Sequence, residues 1–187
     1  MHRKINEMPR EWPFPRKGKK FITFASHNSE NSLPLLYVLR DLLKFAKTRR
    51  EVRKICLKKY IKINGVERID PLFPVQNRDI ITIEKIKKNY ILVLKKGKFS
   101  LEEVDSKDAK TNVVKIKGKK KLAKGKVQIN LENGTNVLFS EACSCGDSVV
   151  FNFEKKKIEK ILPLKKQANV EIIKGKHSLP LYRKSVV

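Results

Sequence analysis

The stretch "TRREVRKICLKKYIKING", residues 48–65, decides how this chain is read. Thr48 followed three residues later by Glu51 is a capping-box pattern, in which each side chain satisfies a backbone N–H at the start of a helix. Val52, Ile55 and Cys56 then fall on one helical face and predict the buried stripe. Arg49, Arg50, Arg53, Lys54, Lys58 and Lys59 occupy the remaining faces, with Glu51 the lone acid among them. Tyr60, Ile61 and Ile63 lead into Asn64-Gly65, the strongest short hairpin signal, because a type I′ turn needs two residues tolerant of positive φ. The expectation is a helix with a cationic flank, running directly into a β-hairpin.

The whole chain shares that charge. It has 187 residues, with 44 Lys and Arg against 19 Asp and Glu, a formal net charge of +25. Self-repulsion on this scale calls for a polyanionic partner, and nucleic acid is the leading candidate, ahead of an anionic membrane surface. No run approaches the roughly 18 apolar residues of a spanning helix. The N-terminus, "MHRKINEMPREWPFPRKGKK", has no apolar h-region, so no secretory signal is expected and the setting is expected to be cytoplasmic. Cys56, Cys143 and Cys145 are too few for a disulfide framework, and the C-x-C at 143–145 has no second ligand pair. No metal site and no cofactor are expected.

Outward from the opening stretch, "SLPLLYVLRDLLKFA" (32–46) predicts a helix, with Leu35, Leu36, Leu39, Leu42, Leu43 and Ala46 at helical spacing, Ser32 as N-cap and Pro34 in the first turn. Asn77 to Asp79 predicts a turn into a β-branched strand, "DIITIEKI". Upstream, "WPFPRKGKKFITF" interleaves Trp12, Phe14, Phe21 and Phe24 with Arg16, Lys17, Lys19 and Lys20, which suits base stacking with phosphate neutralisation, or else an ordinary tail with a few anchoring aromatics. From Tyr90 the pattern is short strands, beginning with a hairpin about Lys96-Gly97 and continuing around Gly118, Gly125 and Asn133-Gly134. Eight lysines and no acid lie between Lys110 and Lys126, a run expected to meet phosphate. A strand from Val170 to Ile173 is expected to pair with an earlier segment or to lie against RNA.

Walker, G-x-S-x-G and H-E-x-x-H patterns are all missing from the sequence. Asp70, in "ERIDPLF", has the placement of a catalytic carboxylate, but Asp-Pro before an extended segment more often forms a turn. Catalysis is not expected.

Several blocks in order, "PREWPFPRKGKKFI", "SLPLLYVLRDLLKFAKTRREVRKICLKKYIKINGVERIDPLFPVQNRDIITI", "GKVQINLENGTNVLF", "CGDSVVFNF" and "GKH", resemble small-subunit ribosomal protein four of the archaeal and eukaryotic type. The resemblance runs from about Pro9 to His177. It implies an α+β fold: a small two-helix and β-hairpin RNA-binding module, then a β-rich central domain, then an SH3-like barrel opened by a KOW motif. Boundaries expected on this basis are a basic N-terminal extension at 1–30, the module at 31–86, the central domain at 87–166 and a degenerate KOW-like tail at 167–187. "ANVEIIKGKHSLPLYRKSVV" resembles only the opening of that barrel, so the barrel is expected to be absent or vestigial.

The implied partners are small-subunit rRNA and neighbouring small-subunit ribosomal proteins, with no membrane and no small-molecule substrate. The residues expected on RNA are Arg16, Lys17, Lys19, Lys20, Lys47, Arg49, Arg50, Arg53, Lys54, Lys58, Lys59, Lys62, Arg68, Lys119, Lys120, Lys121 and Lys124. The alternatives are an RNA-modifying enzyme that uses the same module for targeting, and a free RNA chaperone.

Overall fold

A computed structural model describes residues 2–27, 32–106, 108–122, 127–139, 143–153, 155–165, 168–170 and 182–183. The chain divides into two units, one built from the described residues up to Ala109 and one beginning at Lys110.

The first unit is organised by two turns. Asn64 (φ +50°) and Gly65 (φ +76°) join β4 (Ile61–Ile63) to β5 (Val66–Glu67), as the Asn-Gly pair predicts. Arg78 (φ +66°) lies in the turn between β6 (Pro74–Gln76) and β7 (Ile80–Ile83). The two turns are latched together. The Asn64 amide donates to Asp79 Oδ1 (2.7 Å), Asn64 Oδ1 accepts from the Ile80 N–H (2.9 Å), and Asp79 Oδ2 accepts from the Gln76 N–H (2.8 Å). Asp79 is buried, and that burial pushes its carboxyl up to about 6, against the hydrogen bonds from Gln76 and Asn64 and the charge of Arg68.

That shift has a defined sign. Between the unfolded carboxyl value of 3.8 and about 6, the folded state holds a proton on Asp79 that the unfolded state releases. Stability from this group is therefore present at pH 4 and is lost as pH rises through 6. Relative to Asp79→Asn, the wild type is expected to lose roughly 2 kcal/mol between pH 4 and pH 7, at ~1.36 kcal/mol per pH unit, because the unfolded carboxyl is already partly ionised at pH 4. Urea melts of both proteins at the two pH values measure this, and a constant difference would contradict it.

The sheet of this unit is antiparallel, ordered β5-β4-β7-β8-β9, where β8 is Lys88–Lys95 and β9 is Lys98–Val104. It does not stop at 86, where a module boundary was expected. The hairpin about Lys96 (φ +49°) and Gly97 (φ +72°) extends the same sheet, because Ile80 to Ile83 pair directly with Lys88 to Ile91.

The expected helix over 32–46 is replaced by three shorter pieces. Ser32–Pro34 form β3, paired with β6; Leu35–Tyr37 form a single helical turn, α1; and Val38–Leu42 form a π-helical turn. The start at Leu35 follows from hydrogen bonding. The Leu35 N–H donates to the Phe73 carbonyl (2.9 Å) and the Leu36 N–H to the Pro71 carbonyl (2.8 Å), so the 71–73 loop satisfies donors that an N-cap would otherwise serve. Leu35 to Leu39 are buried on every side rather than along one stripe. The helix α2, Arg49–Leu57, forms as expected.

Residues 2–27, expected as an extension, fold into the core of this unit. Trp12 is 0% exposed and packs on Phe24 (5.2 Å between centroids) and Tyr37 (5.6 Å). Its indole N–H donates to the Ser32 carbonyl (3.0 Å), and the Tyr37 hydroxyl accepts from the Thr23 N–H (3.0 Å). β1 (His2–Lys4) and β2 (Phe21–Thr23) form a ribbon, and Lys98 Nζ donates to the Arg10 and Trp12 carbonyls. Base stacking by Trp12 and Phe24 is thus corrected, since both rings are consumed by packing. Phe21 is exposed.

The second unit is a five-stranded antiparallel sheet, ordered β12-β11-β10-β13-β14. The strands are β10 (Thr111–Lys121), β11 (Val127–Leu131), β12 (Asn136–Phe139), β13 (Ser148–Asn152) and β14 (Lys157–Leu162). Its inward face carries Val114, Ile116, Ile129, Leu131, Val149 and Phe151. Asp147 accepts from the Ser144 and Leu164 N–H groups and pins the turn into β13. At the end of the chain, β15 (Asn169–Val170) pairs with β16 (Tyr182–Arg183), so the strand at Val170 is partnered by a segment that follows it and not by the earlier one expected. The Gly-containing turn at 174–177 and the degenerate KOW positions at 179–181 lie outside the described residues.

Candidate nucleic-acid interface

α2 is seated by Val52 and Cys56, both 0% exposed, in the core with Leu36, Leu39, Ile61, Ile63 and Ile81. Burial pushes the Cys56 thiol up to about 11, which leaves it a small hydrophobe rather than a nucleophile. The capping box is formed as the sequence predicts. Thr48 Oγ1 accepts from the Glu51 N–H (3.3 Å), and Glu51 Oε2 accepts from the Thr48 (3.3 Å) and Lys47 (2.7 Å) N–H groups.

This geometry explains the charge on the helix. The Lys47 and Thr48 N–H groups hold the Glu51 carboxyl below its ordinary range and turn it toward the helix start. Glu51 therefore does not neutralise the arginines beyond it. Arg49, Arg50, Arg53, Lys54 and Lys58 are all exposed, and none is in an ion pair with an acid among the described residues. Lys44 (φ +57°) and Lys47, in the segment leading into α2, are exposed as well. Replacing Thr48 with Ala removes the cap; a loss of about 1 kcal/mol is expected in denaturant melts, and no change would show that the cap is idle.

The other expected contact residues are distributed differently. Lys59 pairs with Glu67 (3.3 Å) and Lys62 with Glu84 (2.5 Å), and the Glu84 hydrogen bond raises the Lys62 ammonium. These two cations are partly neutralised within the protein. Arg68 is half-buried, with its guanidinium 4.2 Å from the Phe73 ring centroid. In the N-terminal part, Arg16 donates to the Met8 carbonyl (2.7 Å), Lys20 stands over the exposed Phe21 ring (5.5 Å), and Lys17 and Lys19 are exposed. Asp70 is a turn former, accepting from the Leu72 N–H (2.9 Å).

In the second unit, the lysine run lies on β10, where a bulge between Ile116 and Gly118 shifts the register. Lys120 opposes Gln128, whereas Lys119 opposes the buried Ile129 and Lys121 opposes Val127. Opposed residues share a face, so the three lysines do not form one row. Lys119 donates to the Cys143 carbonyl (3.0 Å). Lys124 lies outside the described residues. Arg3 and Lys4, exposed on β1, were not expected; a three-residue strand is too short to show periodicity, and their basic character was the only available signal.

Among the described residues, no group of three or more His, Cys, Asp or Glu side chains could hold a metal, and no helix is long and apolar enough to cross a membrane. The arrangement can do one thing plainly: a rigid, capped helix presents fixed guanidinium and ammonium groups to an anionic partner, with little opposing charge of its own.

The fold is shared with a solved protein. The crystal structure of the 30S ribosomal protein S4e from Thermoplasma acidophilum superposes with a TM-score of 0.72 at 22% identity, over 84% of this chain and 82% of that one. The family model described as ribosomal family S4e matches residues 86–158. The small ribosomal subunit protein eS4 of Archaeoglobus fulgidus is 37% identical over 182 residues, 95% of this chain and 76% of the relative. That of Methanosphaera stadtmanae is 35% identical over 180 residues, 94% and 75%, and that of Nanoarchaeum equitans 31% over 182 residues, 95% and 78%. A mixed helix-and-sheet ribosomal protein is the class so defined. The chain belongs to the S4e family of ribosomal proteins.

Proposed function

We propose that this protein is a structural constituent of the small ribosomal subunit that binds and stabilises folded small-subunit rRNA in the cytoplasm, performs no catalysis, and touches neighbouring ribosomal proteins. The observation that carries the reading is the cationic face of α2: five exposed Arg and Lys side chains without an acidic partner among the described residues, on a helix fixed by its cap and its buried stripe. Arg49, Arg50 and Arg53 are suited to bidentate phosphate contact, and Lys54 and Lys58 to diffuse neutralisation. Lys44 and Lys47 extend the patch at the helix start, and Lys17, Lys19, Lys20, Lys120 and Lys121 supply secondary contacts. Membership of the S4e family supports the ribosomal partner.

Charge-driven binding is salt-dependent. With six or more phosphates neutralised, affinity for small-subunit rRNA is expected to fall by roughly 10³-fold or more between 50 and 200 mM salt. Filter binding across that range tests it, and a flat response would remove the electrostatic basis of the proposal. In gradient sedimentation the protein is expected to stay with the small subunit after a moderate salt wash, whereas an RNA-modifying enzyme or a chaperone would be released.

A further inference from the structure

Among the described residues, the sheet of the second unit has two edges, β12 and β14, each hydrogen-bonded on one side only. Between them lies a groove of about 540 Å³. Phe151, 2% exposed, forms part of its lining, together with Val137, Phe139 and Ile158, all half-buried, and the exposed Leu138. The register explains the apolar lining: Phe139 opposes Val127, Val137 opposes Ile129 and Ile158 opposes Phe151, so these side chains share the inward face of the sheet. The rim carries Lys156 and Lys157, and no acid lines the groove among the described residues.

We infer that this groove takes the base of one unpaired rRNA nucleotide, swung out of its stack, with Lys156 and Lys157 on the flanking phosphates. This rests on the rRNA-binding role proposed above and assigns the second unit a specific contact within it. Three observations favour a nucleotide. The volume lies in the range of pockets that enclose small ligands. An apolar wall with an aromatic ring accepts the face of any base, and folded RNA offers splayed bases at loops and bulges. The charge is complementary: residues 110–172 hold 14 lysines against 6 acids, a net +8.

The test uses the full chain assembled into small subunits, carrying the photoreactive residue p-benzoylphenylalanine at Phe139, on the groove face of β12, with a second version carrying it at Lys54 on α2. Irradiation is expected to join position 139 to RNA, giving a nuclease-sensitive adduct and one dominant reverse-transcription stop at an unpaired nucleotide. That adduct is expected to be lost when Lys156→Glu and Lys157→Glu are added. If Lys54 labels rRNA while position 139 labels only protein or nothing, the groove proposal fails and the rRNA-binding role stands. Labelling of rRNA by neither position would overturn both.

Discussion

Reversing Arg50 and Arg53 to Glu is expected to lower affinity for small-subunit rRNA by about 10²- to 10⁴-fold while leaving the folded protein intact. The magnitude follows from the loss of two charge-assisted hydrogen bonds at roughly 1.5–3 kcal/mol each, with about 1.4 kcal/mol per tenfold change. The salt slope is expected to fall by about 2, one unit per lost phosphate contact. Stability is expected to stay within about 0.5 kcal/mol, because both side chains are exposed and neither is in an ion pair with an acid among the described residues. The new carboxylates would also face Arg49 and Lys54, which relieves like-charge repulsion along the helix. Quantitative filter binding, alongside thermal melts, separates the two effects. A loss of less than about threefold with an unchanged slope would mean that α2 does not meet the phosphates.

Trp12→Ala is the largest expected change in stability. Its ring is fully buried between Phe24 and Tyr37, and its N–H is the donor to the Ser32 carbonyl. Truncation of a buried Trp costs about 3–5 kcal/mol, and here it also leaves that carbonyl without its indole donor. Domains of this kind hold about 5–15 kcal/mol in total, so the variant is expected to be marginal at 37 °C. The damage passes from the N-terminal segment to β3, which carries Ser32. Denaturant melts monitored by circular dichroism measure the loss. A cost below about 1 kcal/mol would show that Trp12 is a surface anchor and not part of the core.

These two variants mark the boundary of what local sequence reveals. The α2 platform was legible because its determinants are neighbours: Thr48 caps Glu51, Val52 and Cys56 are one helical turn apart, and Asn64-Gly65 needs nothing distant to specify its turn. Trp12 was not legible. Its surroundings come from residues 12 to 25 positions away, and beside Arg16 and the lysines it reads equally well as a stacking platform. The same limit applies to 32–46, where apolar residues at helical spacing predict one helix; Leu35, Leu36, Leu39 and Ala46 are buried, and Leu42 and Leu43 are half-buried. The strand pairing of Ser32–Pro34 and the backbone acceptors at Pro71 and Phe73 divide the segment instead of leaving one helix.

The binding surface shows the same division. Cations on α2 could be assigned to one face from periodicity alone. Lys59 and Lys62 could not be separated from them, because their acids, Glu67 and Glu84, arrive on neighbouring strands. Lys119 to Lys121 read as a single patch in the sequence, but as consecutive residues of β10 they alternate between its two faces. Asp79 was read as a turn residue; that it is buried and latches Asn64 emerges only when the two hairpins meet.

The most direct measurement is a structure of the assembled small subunit at a resolution that shows side chains. The expected result places the Arg50 and Arg53 guanidinium groups within about 3 Å of rRNA phosphate oxygens, the distance of a charge-assisted hydrogen bond. Finding α2 turned toward solvent or packed on another protein, with those groups far from any nucleotide, would contradict the proposed role of its charge.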